Sequence, residues 1–155
     1  MKAVIATVAA VAALAAAGSA AAQDWRLPAN YGAVTLYSGF TPDPFTVNVT
    51  SGGPIDASAS VSSSCRGWIS NAPDFELTYS AGSLPLAISV NSASDTTLVI
   101  NGPDGLWYCD DDGGDGLNPS LRWDSPPSGT YDIWVGSYQR ANYSATLSIS
   151  ELYSY

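Results

Sequence analysis

Short runs in which apolar and polar side chains alternate one by one dominate this chain. No long stretch repeats its apolar residues at helical spacing. Phe45–Thr50, Phe75–Tyr79, Leu86–Asn91, Tyr131–Val135 and Tyr143–Ser150 all keep a period of two, and Leu98–Ile100 is a short apolar run. Weaker candidates are Ala33–Tyr37, Ile55–Val61, Leu106–Cys109 and Ser120–Trp123. A period of two places alternate side chains on opposite faces of a strand, so each run can bury one face and wet the other. The breaks carry turn chemistry: Pro42-Asp43-Pro44, Ser51–Pro54, Asn101–Gly105, Asp112–Gly116 and Pro126–Gly129. Glycine supplies positive φ and proline presets φ, which ends strands by mechanism.

About eight to ten short strands at this spacing predict an all-β fold. One polar face per strand predicts a two-sheet antiparallel β-sandwich, jelly-roll-like, because each sheet then buries only its inner face. The expected core is Val34, Leu36, Phe45, Val47, Val49, Phe75, Leu77, Leu86, Ile88, Val90, Leu98, Ile100, Ile133, Val135, Ala145, Leu147 and Ile149. The alternation puts Trp134 opposite Ile133 and Val135, on an outer face. An eight-stranded outer-membrane barrel would need segments of about ten residues and aromatic girdles. The strands here are shorter and their turns rich in proline.

Residues 1–22 have the three parts of a secretory signal peptide: Lys2, an apolar run from Ala3 to Ala17, and a small-residue site at Ala20-Ala21-Ala22. The run is shorter than the roughly 20 residues of a membrane span. Residues 23–155 then form one β-sandwich domain, secreted or periplasmic, with no membrane span after cleavage. Export puts Cys65 and Cys109 in an oxidising compartment, where two cysteines have one way to pair. A loop of about 45 residues closed by that bridge is worth roughly 4 kcal/mol in the loop-entropy account.

The chain has no histidine, and its only lysine is Lys2. Histidine-based triads and histidine-ligated metals are therefore excluded. A net charge of −9 and a pI near 4.1 argue against any nucleic-acid partner.

From Asp95 onward the order of features is an Asp-led strand with Leu98 and Val99, a Pro103-Asp104-Gly105 turn and an acidic Asp110–Asp112 loop. Gly129-Thr130-Tyr131 and Val135 follow, then a last strand with Tyr143 and Leu147. Over residues 95–150 this resembles the bacterial pre-peptidase C-terminal domain, a small jelly-roll-like sandwich that accompanies proteases and is not itself one. The chain is also similar to a group of small secreted proteobacterial proteins that carry the Gly39–Val47 stretch GFTPDPFTV, paired cysteines and the Trp107–Asp112 stretch WYCDDD. Related sandwich domains often bind Ca²⁺ in loops, so the resemblance implies a Ca²⁺ cofactor as well as a non-catalytic role.

The residues themselves give Ca²⁺ a place. Asp110, Asp112 and Asp115 lie in a glycine-rich loop, with Asp104 and Asp95 earlier, and hard cations want six to eight oxygens. A bare acidic turn, with Asp side chains bonding their own backbone, is the competing expectation. The second feature is aromatic. A Cys65–Cys109 bridge would tie the Arg66–Ala72 loop to the acidic loop and make one binding surface of Arg66, Trp68, Trp107 and Asp110–Asp115, with Trp123 flanking. The expected function is a non-catalytic exported accessory module that recognises a protein partner in the cell envelope or outside the cell. The alternatives are a carbohydrate-binding module that stacks a glycan partner on exposed Trp and Tyr, and a carboxylate-based hydrolase. No catalytic residue is assigned: no Gly-x-Ser-x-Gly occurs, and of the glutamates Glu76 and Glu151, Glu151 falls near an end expected to fray.

Overall fold

A computed structural model of the chain describes residues 23–154. Residues 1–22, expected above to be a signal peptide, lie outside the described residues. The strands are β1 (Ala33–Tyr37), β2 (Phe45–Thr50), β3 (Ile55–Asp56), β4 (Trp68–Ile69), β5 (Phe75–Ser80), β6 (Leu86–Asn91), β7 (Thr96–Asn101), β8 (Trp107–Asp110), β9 (Ser120–Trp123), β10 (Gly129–Ser137) and β11 (Ser144–Ser150), with one short helix α1 (Ala57–Ser60). They form two stacked sheets. The smaller runs β2-β11-β6-β9, antiparallel throughout. The larger is built on β10, which pairs along one side with β7 and through it β8, and along the other with β5 and then β4.

The inward-facing sets meet between the sheets. Phe75, Leu77 and Tyr79 of β5, Tyr131, Ile133 and Val135 of β10, and Leu98 and Ile100 of β7 face Leu86, Ile88, Val90, Leu147 and Ile149. Each large side chain so buried stabilises the fold by roughly 1.5–3 kcal/mol relative to exposure. Val34, Leu36, Phe45 and Val47 pack against this core while half-buried, because β1 and β2 are edge strands. The expected two-sheet sandwich with one disulfide is the observed architecture.

Three local readings are corrected. β1 pairs with β5 in parallel, so the larger sheet is not purely antiparallel. The Ile55–Val61 run is a strand only at Ile55–Asp56. It then turns into α1, because the Asp56 carboxylate accepts the Ser58 amide at 2.8 Å and caps an Ala-Ser-Ala-Ser turn. Trp68–Ile69 pairs as β4, too short to show an alternation.

Candidate functional site

The outer face of the larger sheet carries a second apolar cluster. Ala57, Cys65, Ile69, Val99 and Trp134 are fully or almost fully buried there, with Val61, Trp107 and Cys109 packed around them. Trp134 does point away from Ile133 and Val135, as its position in the alternation requires. It is nevertheless 0% exposed, which corrects the expectation of an outer-face aromatic open to solvent. The excursion from β3 through α1 to β4 folds over that face, and the Cys65–Cys109 bridge, with Cα atoms 5.2 Å apart, pins it down. Trp107 stacks on Trp134 with ring centroids 5.3 Å apart, so it serves this packing.

The predicted binding surface is thereby divided. Trp123 lies against the inter-sheet core, edge-on to Tyr108 at 5.2 Å and Tyr131 at 5.4 Å. Arg66 and Trp68 stay together at a groove of ≈ 330 Å³, lined also by Asp56, Ser58, Gly67 and Tyr138. The Arg140 guanidinium lies 4.9 Å over the Trp68 ring. Arg66 donates through Nη1 to the Ser63 and Cys65 carbonyls at 2.8 and 2.9 Å, which ties it to the disulfide. Its charge and, more strongly, the Ser58 hydrogen bonds hold the Asp56 carboxyl below the usual range. Gly67 shapes the groove floor: its φ is +87°, and a Cβ there would meet Thr97 Oγ1 at 2.4 Å.

The acidic loop is largely occupied by its own backbone. Asp110 Oδ2 accepts the Gly113 and Ser120 amides at 2.7 and 2.8 Å. Asp104 accepts the Leu106 amide at 3.0 Å and the Tyr108 hydroxyl at 2.5 Å, and these bonds lower its pKa. Asp115 is exposed. Asp95 differs. Its Oδ1 is buried with no hydrogen-bond partner among the described residues, and its pKa is raised by burial and by the charges of Asp112 and Asp111. The five expected ligands Asp110, Asp112, Asp115, Asp104 and Asp95 do not gather as one set. Among the described residues no three His, Cys, Asp or Glu side chains form a metal-ligand group.

Three buried carboxylates escaped the sequence reading: Asp74, Glu151 and, on β10, Asp132. Asp74 is 2% exposed, and its carboxylate accepts the Val135 amide of β10 at 2.8 Å and the Asn30 side-chain amide at 3.1 Å. Glu151 is 3% exposed, not at a frayed end: its Oε1 accepts the Tyr79 hydroxyl at 2.5 Å and its Oε2 the Gly39 amide at 2.6 Å. Asp43 accepts the Ser150 hydroxyl at 2.5 Å and the Glu151 amide at 3.0 Å, so the GFTPDPF segment is fastened to the end of β11. Burial and Glu151 push the Tyr79 phenol up to about 12. The sequence signal was the placement of Asp74 and Glu151 directly beside strand ends, where a carboxylate can accept edge amides.

The sandwich is similar to two solved structures. One is the pre-peptidase C-terminal domain of a collagenase from Bacillus anthracis, with a TM-score of 0.45 and 14% identity over 76% of this chain and 94% of that one. The other is a periplasmic inhibitor of g-type lysozyme from Aeromonas hydrophila, with a TM-score of 0.39 and 13% identity over 76% of this chain and 96% of that one. No family model and no curated protein matches the chain. Among the described residues no helix is long and apolar enough to cross a membrane.

Proposed function

We propose that this chain is an exported, non-catalytic module that recognises a protein partner through the groove of Arg66, Trp68 and Tyr138. The observation that carries this reading is the Arg140–Trp68 stack beside a groove whose floor is fixed by the disulfide and Gly67. Trp, Tyr and Arg are the residue types that dominate binding energy at protein interfaces, and a pre-ordered surface loses little entropy on docking. The lack of histidine supports a non-catalytic role, and the disulfide supports residence in an oxidising compartment.

The test compares wild type with Trp68→Ala and Arg66→Ala as immobilised baits, using the envelope and culture fractions of the source cells. A protein retained by wild type and lost by both variants, at unchanged melting temperature, is the expected result. Quenching of tryptophan fluorescence by a polysaccharide, lost in Trp68→Ala, would instead assign a glycan. Turnover abolished by Asp110→Asn or Asp112→Asn would assign a hydrolase.

A further inference from the structure

A second cavity, of ≈ 350 Å³, shares no lining residue with the Trp68 groove. Trp25, Asn101, Pro103, Ser128, Thr130 and Asp132 are among its walls. Asp132 is 5% exposed, in the middle of β10, and points to the outer face of the larger sheet. Its neighbours across the strands are Glu76 on β5 and Asn101 on β7. Its Oδ1 is fully buried with no hydrogen-bond partner among the described residues. The nearest arginine in sequence to the Trp25 wall, Arg26, lies 5.0 Å over the Trp25 ring, and the ion pair among the described residues is Arg122–Asp124.

A buried carboxylate without a donor is costly, and a like charge directly across the strand adds to the cost. Buried polar groups in native proteins are nearly always satisfied. The partner that meets both demands is a cation entering from the cavity. A bare metal ion fits poorly. Ca²⁺ wants six to eight oxygens, while this wall offers an indole, a proline ring and one carboxylate, Asp132. A neutral sugar hydroxyl could bond Oδ1 but would leave the Asp132–Glu76 repulsion in place. A planar guanidinium offers several N–H groups in one plane, can give more than one of them to the Asp132 carboxylate, and stacks on an indole face.

We propose that the Asp132 cavity is a binding site for a guanidinium-type cation, with Asp132 and Glu76 as counter-charge and, as the stacking wall, the face of Trp25 away from the Arg26 guanidinium. The inference goes beyond the Trp68 groove and does not depend on what that groove binds. A free amino acid and an arginine side chain on a protein both carry this group.

The experiment is an NMR titration of the full secreted chain with N-acetyl-arginine amide, read at the Thr130 and Asp132 amides. N-acetyl-citrulline amide, free arginine, CaCl₂ and xylohexaose are titrated in parallel. Saturable shifts with the arginine amide, at least tenfold weaker with the neutral citrulline isostere and in Asp132→Asn, are expected. Free arginine binding more tightly than the amide assigns the free amino acid as ligand, and the reverse assigns a chain-borne side chain. Equal binding by citrulline, unaltered binding in Asp132→Asn, saturation by Ca²⁺ or xylohexaose instead, or no saturable shift would each overturn the proposal. Should Asp132→Asn fail to fold, Glu76→Gln and Trp25→Ala carry the comparison. Loss of partner capture by Trp68→Ala, with arginine-amide binding intact, separates this site from the groove.

Discussion

The Asp74 carboxylate accepts the Val135 amide at 2.8 Å, doing for β10 what the next residue of a neighbouring strand would do. β5 starts at Phe75, and the pairing of β10 with β4 occurs only at Ser137. The stretch between has no strand partner on that side. Asp74 fills it: its amide donates to the Ile133 carbonyl at 2.7 Å, and its carboxylate also takes the Asn30 side chain at 3.1 Å. The Gly52 amide donates to the Val135 carbonyl at 2.9 Å and completes the closure. The buried Asp74 side chain thus joins the strand edge to the Asn30 loop, and a backbone bond joins it to the Gly52 loop.

Replacing Asp74 by alanine should therefore be among the more damaging single changes. It strands the buried Val135 amide and releases the Asn30 loop, at a cost on the order of 2–4 kcal/mol. Asp74→Asn, which keeps one acceptor, should lie between alanine and wild type. Urea denaturation measures both, and a midpoint for Asp74→Ala equal to wild type would refute the role given to this residue.

The Cys65–Cys109 bridge holds the excursion that covers Trp134. Its removal by Cys65→Ala with Cys109→Ala should cost up to roughly 4 kcal/mol. It should also loosen the outer-face cluster before the inter-sheet core. A lowered melting temperature with reductant, and faster quenching of tryptophan fluorescence by acrylamide, are the expected readings. Unchanged melting on reduction would count against the bridge as a staple.

Stability should rise on mild acidification. Burial pushes the Asp74 and Asp132 carboxyls up to about 6 from 3.8, and Glu76 adds to the shift at Asp132. As pH rises from about 4 to 6, the unfolded chain ionises these groups while the folded one holds their protons. Folding stability then falls across that window and stays low above it. The two groups together should make the protein more stable at pH 5 than at pH 7.5, each by on the order of 1–3 kcal/mol. Below about pH 4 the gain is complete, and protonation of Asp56 and Asp104, whose folded pKa values are lowered, works the other way. Asp132→Asn should raise the melting temperature at pH 7.5 and flatten the profile. A profile in Asp132→Asn that retains the full wild-type slope would contradict this.

Glu151 should matter as an acceptor more than as a charge. Glu151→Gln retains one oxygen for the Gly39 amide or the Tyr79 hydroxyl, whereas Glu151→Ala leaves the buried Tyr79 hydroxyl and the Gly39 amide without that acceptor. The alanine variant should lose about 2 kcal/mol more than the glutamine variant. Hydrogen exchange at Gly39 is the local readout: its amide should exchange much faster in Glu151→Ala and nearly as slowly as wild type in Tyr79→Phe.

Strands such as Phe45–Thr50 and Ser144–Ser150 were legible because alternation and flanking turns are local properties. The cysteine pairing was legible for a simpler reason, since two cysteines have one way to pair. The candidate site was legible only in part. Arg66 and Trp68 share a groove, but Trp107 and Trp123 went to two different packing clusters. Trp134 shows why. The alternation fixed which side of β10 it leaves from, but whether that side is wet depends on where Ala57, Cys65 and Ile69 fold, far away in sequence.

Asp74, Asp132 and Glu151 obey the same division. A carboxylate's residue type is written in the chain, yet its burial and partners depend on which strands meet across the sheet. The sequence by itself determined the strands, their inward faces and the one covalent link, because these follow from near neighbours and a count of cysteines. Tertiary structure alone decided which polar and aromatic groups are enclosed and which are offered to a ligand, because that is set by contacts between segments the chain brings together only when folded.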